Sequence, residues 1–190
     1  MKKTILISAI IFAVCITFAS SYDVRGTEEL TYIIALGIDK SNSEDEPYTL
    51  SIQIAKPDSS ESGGTKITTE TQTTNCNSFN LGLAIFNLEN VYQINLSHCT
   101  ALIISEELAT EGLDNIINTL ANNIEIRPTC NVLICQDKAS DFLKTASEIE
   151  DISSKYYSSF IESAKITSYI TPCELSNFYS SLHNDVLEPV

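Results

Sequence analysis

Apolar residues recur along the chain with two different periods, and the change from one to the other divides it. Leu30–Asp39 (LTYIIALGID) is almost wholly apolar and rich in β-branched residues, the composition of a strand covered on both faces. Lys40–Pro47 (KSNSEDEP) is polar and turn-rich, hence a loop. Tyr48–Ala55 then alternates, with Tyr48, Leu50, Ile52 and Ile54 on one side and Thr49, Ser51 and Gln53 on the other. That spacing predicts a half-buried strand paired antiparallel with the first. Pro57–Gly64 (PDSSESGG) reads as a flexible loop, and Thr65–Thr74 as a polar, edge-like third strand.

From Ser78 onward the period becomes helical. Phe79, Leu83 and Phe86, with Leu81, Ile85 and Leu88 beside them, form a wide stripe over Ser78–Asn90. Cys99–Ile104 is a buried strand, Ser105 an N-cap, and Glu106 and Glu107 fill a first helical turn where the dipole favours anions. Gly112 ends that helix. Leu113, Ile116, Ile117, Leu120, Ala121 and Ile124 fit one face of the next. Val132–Cys135 is another short strand, followed by a helix through Phe142 and Leu143. Tyr156, Tyr157, Phe160 and Ile161 share a later helical face. Thr171-Pro172-Cys173-Glu174 has the form of a helix start, continued by Leu175, Phe178, Tyr179, Leu182 and Val186. The order predicts a mixed α/β or α+β domain: a twisted, largely antiparallel sheet with helices packed on it and a helical C-terminal stretch.

The first residues change the picture. Lys2 and Lys3 precede an uncharged apolar run, Thr4–Ala19, and small residues follow at Ser20 and Ser21. This is the pattern of a secretory signal peptide, shorter than the ~20 apolar residues of a comfortable transmembrane helix. The expectation is a signal peptide or membrane anchor over 1–21 and one domain over 22–190 of an exported protein. The formal net charge of −14 argues against nucleic acid, whose partners neutralise phosphates with Lys and Arg. It also opposes anionic headgroups, so membrane attachment must come from apolar insertion or a lipid chain.

Candidate chemistry is sparse. The chain has two histidines, His98 and His183, and no tryptophan. His98 and Cys99 are neighbours on a strand and point to opposite faces, so they cannot readily share a metal. No CxxC, HExxH, GxSxG, GxGxxG or P-loop spacing occurs. Gly63-Gly64 precedes a strand rather than a helix and cradles no phosphate. Asp39 reads as a strand-to-turn residue bonding the backbone of its own turn, and Asn95-Leu96-Ser97 as a chance sequon. The Tyr156/Tyr157/Phe160 cluster reads as core packing. Cys15 lies in the leader; Cys76, Cys99, Cys130, Cys135 and Cys173 are an odd set, mostly buried small hydrophobes. An extended strand would hold Cys130 and Cys135 roughly 16 Å apart, which leaves open one bridge among Cys76, Cys99 and Cys173. No residue is assigned to catalysis, a cofactor or a metal. The Lys40–Pro47 loop and Tyr22–Arg25 are candidate contact regions because they lie outside the predicted core.

Three stretches together resemble one family. Tyr22-Asp23-Val24-Arg25 is followed by Leu36-Gly37-Ile38-Asp39-Lys40 and then by the strand Tyr48–Pro57. Ser97-His98-Cys99 leads into Ala101–Ser105 and Glu106-Glu107-Leu108-Ala109. Ile124-Glu125-Ile126-Arg127 precedes the Val132 strand. In this order they are similar to the Ger(x)C family, whose members carry a Trp-Asp-x-Arg-Glu segment, a strand ending Gly-Ile-Asp-Lys, a Ser-His pair, a Glu-Glu-Leu-Ala helix and a Glu-x-Arg.

The resemblance implies a non-catalytic C subunit of a nutrient germinant receptor, without cofactor. It implies integral-membrane A- and B-type partners and a place on the outer face of the spore inner membrane. Family members are lipoproteins; Ser21 stands at the usual lipobox cysteine position, and Val14 before Cys15 is too large for a lipidation signal. Members continue into further domains, so a chain ending at Val190 is expected to represent the N-terminal region. The alternative is an exported envelope module that senses a small nutrient in a concave polar pocket.

Overall fold

The computed structural model describes residues 30–59, 65–150, 153–167, 171 and 173–183. The leader, Tyr22–Arg25 and Val186 lie outside these residues. The described strands are β1 (Leu30–Lys40), β2 (Tyr48–Ser59), β3 (Thr65–Cys76), β4 (Gln93–Asn95), β5 (Ala101–Ser105), β6 (Asn131–Cys135) and β7 (Cys173–Glu174). They form one sheet in the order β3-β2-β1-β5-β6-β7, with β4 also pairing β1. The long pairings β1–β2 and β2–β3 are antiparallel, as is β6–β7, whereas β1–β4, β1–β5 and β5–β6 are parallel. The described helices are α1 (Phe79–Glu89), α2 (Glu106–Glu111), α3 (Asp114–Ala121), α4 (Ala139–Ile149), α5 (Ser153–Thr167) and α6 (Leu175–His183). The fold is a mixed α+β domain, as its patterning predicts.

Two separate cores sandwich the sheet. One face, built on Leu36, Ile38, Leu50, Ile52, Leu102 and Ile104, is covered by α1, α2, α3 and α6 through Phe86, Leu108, Ile117 and Phe178. The other, built on Ile34, Ala35, Ala101 and Ile103, is covered by α4 and α5 through Ala139, Leu143 and Tyr157. Strand β1 is central, buried from Ile33 to Asp39. Its register shifts between Ile33 and Ala35, and this bulge turns both Ile34 and Ala35 toward the second face. The bulge also marks where β1 changes partner, from β4 along Leu30–Tyr32 to β5 along Ala35–Ile38.

Several expectations are corrected by packing. Strand β2 is not half-buried: Ser51 and Gln53, its polar side, are fully covered. Their polarity is satisfied internally, by Ser51 Oγ against Thr73 Oγ1 at 2.9 Å and by Gln53 between α4 and α5. Ile124 is not in the helix that its spacing continues. Helix α3 ends at Ala121 because Asn122 Nδ2 donates to the Asn118 carbonyl at 2.7 Å, and Asn123 Oδ1 then accepts the Glu125 N–H. Ile124 is left 98% exposed. Of the apolar stripe on α1, only Phe86 is buried besides Gly82; Leu81 and Leu88 face outward.

The Thr171–Glu174 segment does not start a helix either. Cys173 and Glu174 extend the sheet as β7, opposite Val132 and Asn131. Helix α6 begins at Leu175, and its first N–H groups are taken by the carbonyls of Cys130 (2.8 Å, from Leu175) and Pro128 (3.0 Å, from Ser176). Backbone acceptors in the turn before β6 replace the side-chain cap that the sequence suggests.

Candidate functional site

The Leu36–Lys40 motif is spent on holding helices. At Gly37 a Cβ would lie 2.9 Å from Leu143 Cδ1 and 3.3 Å from Ala139 Cβ, so its absence is what lets α4 lie against β1. Asp39, 2% exposed, caps α4: Oδ1 accepts the Ala139 N–H at 2.6 Å and Oδ2 the Ser140 N–H at 3.0 Å. This corrects the turn-bonding role expected of Asp39. The carboxylate serves a helix 100 residues away, whose own N-cap residue Lys138 makes no side-chain cap. Lys40 reaches across to α2, bonding Glu111 and standing 3.6 Å from Glu107; these partners raise its pKa. The Glu-Glu-Leu-Ala helix and the Gly-Ile-Asp-Lys strand are thus two halves of one clasp.

The remaining candidates also resolve into structural parts. His98 is exposed, its ring edge-on to Tyr32 at 4.5 Å, and His183 lies over Tyr179 at the end of α6. Tyr157 is fully buried, and its hydroxyl donates to Gln53 Oε1 at 2.6 Å while Gln53 Nε2 donates to the Leu143 carbonyl at 2.8 Å. Burial pushes the Tyr157 phenol up. With Phe142, Tyr156 and Phe160 it forms the aromatic core of the second face, as the sequence predicts. Cys135 sits near Asp39, and burial foremost pushes its thiol up to about 11. Among the described residues no group of three or more His, Cys, Asp or Glu side chains is placed to hold a metal. In the Lys40–Pro47 loop the Ser41 N–H donates to the Pro47 carbonyl at 2.8 Å, closing the turn.

A concavity of about 580 Å³ lies at the clasp itself, between the Lys40–Pro47 loop, Glu107 and Glu111; a second lies elsewhere. A groove of about 590 Å³ runs between α1, β4, α3 and the 122–125 turn. Asn80, Asn87, Gln93, Asn118, Asn122 and Asn123 line it with amides, over a floor of Leu83, Ile94 and Leu96. Its foundation is the outer edge of β4, which has no neighbouring strand among the described residues. Two side chains occupy that edge instead: Asn87 Oδ1 accepts the Ile94 N–H at 2.8 Å, and Glu125 Oε2 the Leu96 N–H at 3.0 Å. They guard an edge that would otherwise invite pairing. Among the described residues Glu125, in the Glu-x-Arg stretch, is the only charged one lining the groove, and none of them offers a cation to a phosphate or carboxylate. It suits neutral or cationic groups that both donate and accept hydrogen bonds.

Exposed apolar side chains adjoin the lining residues along the chain. Ile124 lines the groove, and Leu88, Val91 and Tyr92 lie on the segment between the lining residues Asn87 and Gln93, with Leu88 87% and Val91 93% exposed. Exposed apolar clusters of this kind mark interaction surfaces. Sequence reasoning missed the groove. The readable signal was the helical spacing of Asn80 with Asn87, and of Asn118 with Asn122.

The architecture and groove define an α+β domain whose sequence motifs build the scaffold and whose polar concavity is carried by amides. The chain belongs to the family described as the spore germination protein N-terminal domain, whose model matches residues 23–190. It is 26% identical to the putative spore germination protein YfkR of Bacillus subtilis (strain 168) over 96% of this chain and 47% of that protein. It is 25% identical to spore germination protein KC of the same organism over 81% of this chain and 39% of that one. The chain thus spans less than half the length of these two relatives. No solved structure matches it.

Proposed function

We propose that the chain is a non-catalytic subunit of a nutrient germinant receptor complex, assembling with integral-membrane A- and B-type partners at the outer face of the spore inner membrane. The observation that carries this reading is the family match over residues 23–190. The apolar cluster beside the groove supplies a surface for assembly, and no described helix is long and apolar enough to cross a membrane. In this reading partner subunits and residues 1–21, read as a signal peptide or anchor, contribute to attachment. Deleting the gene and following nutrient-triggered loss of refractility tests the role, with membrane fractionation of the spores alongside. Wild-type germination with every nutrient mixture, and a chain found only in soluble fractions, would sink the proposal. Mass spectrometry of the amino terminus separates a cleaved leader from an intact one and from a lipidated Cys15.

A second reading is favoured by the amide groove: direct sensing of a small neutral or ammonium-bearing nutrient. Titration calorimetry with a panel of amino acids, sugars and nucleosides tests it, using Asn118→Leu as the control. Heats unaffected by Asn118→Leu would count against the groove.

A further inference from the structure

Five cysteines are described, and two of them meet. Cys99 lies in the turn before β5 and Cys130 in the turn before β6, with their Sγ atoms 3.9 Å apart and both residues 2% exposed. Each backbone is pinned independently. The Cys99 N–H donates to the Leu96 carbonyl at 2.9 Å, and the adjacent Thr100 N–H ties to β1 through the Ile34 carbonyl at 2.8 Å. The Cys130 N–H donates to the Arg127 carbonyl at 2.9 Å, and its carbonyl accepts the Leu175 N–H at 2.8 Å. The other thiols are engaged elsewhere: Cys76 packs beside Gly82, Cys135 bonds the Asp137 carbonyl, and Cys173 the Glu174 carbonyl.

We infer that Cys99 and Cys130 are joined by an intramolecular disulfide when the protein folds in the presence of a disulfide oxidant. Closing the sulfurs from 3.9 Å to a bond of about 2 Å is a displacement within the reach of side-chain rotation, between turns that lead into paired strands. Each thiol gives up its proton. The two electrons pass to the oxidant, whose own disulfide is cleaved and leaves as two thiols. The bond would link the entrances of two adjacent parallel strands and enclose α2 and α3 in a loop with cysteines 31 positions apart. Because the hydrogen bond with Cys130, and then burial, push the Cys99 thiol up and solvent does not reach it, exchange occurs before the first-face core closes. The finished bond is then shielded from reductants by Ile117, Leu175 and the rest of that core. This replaces the pairing among Cys76, Cys99 and Cys173 that the sequence left open: one of those three is used, with a partner outside the set.

The test is a refolding experiment on the full chain. Reduced, unfolded protein is refolded in oxidised and reduced glutathione, then quenched with N-ethylmaleimide in denaturant. The product is mapped by mass spectrometry without reduction. The expected product carries two maleimides fewer than the fully reduced chain, yields one linked peptide containing Cys99 and Cys130, and carries maleimide on Cys15, Cys76, Cys135 and Cys173. Maleimide on both Cys99 and Cys130, or linkages spread over other pairs, overturns the inference. A second reading comes from the glutathione ratio at half-reduction. In the folded chain the pair should resist reduction on the order of a few hundredfold better than in urea, from loop-closure entropy alone. A ratio near unity between the two states overturns the inference as well. Cys99→Ala/Cys130→Ala serves as a control whose melting temperature no longer responds to reductant; the wild-type measurements decide the question if that variant fails to fold.

Discussion

Replacing Asp39 by Ala removes the acceptor for two buried N–H groups at the start of α4, at 2.6 and 3.0 Å, from a side chain 2% exposed. The N-cap residue Lys138 contributes no side-chain bond of its own. Each orphaned donor costs about 1–3 kcal/mol, and the lost anion at the helix N-terminus a further ~0.5 kcal/mol or more. Relief of the buried carboxylate's own desolvation offsets part of this, and water entering the vacated space offsets more. The net loss expected is about 3 kcal/mol, a large fraction of a domain's stability. Asp39→Asn keeps one acceptor oxygen but aims an NH₂ at the second N–H, and should cost about 2 kcal/mol. Urea unfolding followed by circular dichroism gives the difference from the midpoint and slope. Hydrogen exchange should localise the effect, with the Ala139 and Ser140 amides losing protection in Asp39→Ala before the rest of the sheet. A loss below about 1 kcal/mol in Asp39→Ala, or Asp39→Asn matching the wild type, would refute the capping argument.

Other substitutions probe other joints. Gly37→Ala places a methyl against Leu143 and Ala139, and overpacking of about 1–3 kcal/mol should lower the melting temperature by several degrees; an unchanged melt would mean that α4 yields freely. Tyr157 has a folded pKa raised by burial, whereas an unfolded tyrosine ionises near about 10. Its contribution is therefore complete below about pH 10 and is lost as pH rises through the folded value, by about 1.4 kcal/mol per pH unit above the unfolded pKa. Tyr157→Phe should flatten that alkaline limb in urea titrations, although it leaves Gln53 Oε1 without its donor and lowers stability at neutral pH. With its thiol near pH 11, Cys135 should react with maleimide at neutral pH about a hundredfold more slowly than an unfolded cysteine; mass spectrometry of timed quenches reads this directly.

Element types were largely legible because periodicity is a local property. The run Leu30–Asp39, the Tyr48–Ala55 alternation, the Cys99–Ile104 and Val132–Cys135 strands and the helices at Phe79, Ala139 and Ser153 are all found close to where the pattern puts them. The failures share one cause. Gln53 looked solvent-facing until α5 brought Tyr157 against it, and Cys173-Glu174 looked like a helix start until β6 offered it a ladder. Ile124 continued a helical stripe by spacing, but two asparagine side chains ended the helix before it.

The class of fold, the two-period layout and the family could be read along the chain, since all three rest on residue types and their spacings. Tertiary structure alone decided what those residues do. Asp39 meets α4 across 100 positions, Lys40 meets Glu111 across 71, and Cys99 meets Cys130 across 31. The amide groove likewise collects α1, β4, α3 and a turn that are separate in the chain. Local propensity acts over a few residues, whereas these pairings are selected when two faces of one sheet are covered at once, and the choice of neighbour belongs to the packed molecule.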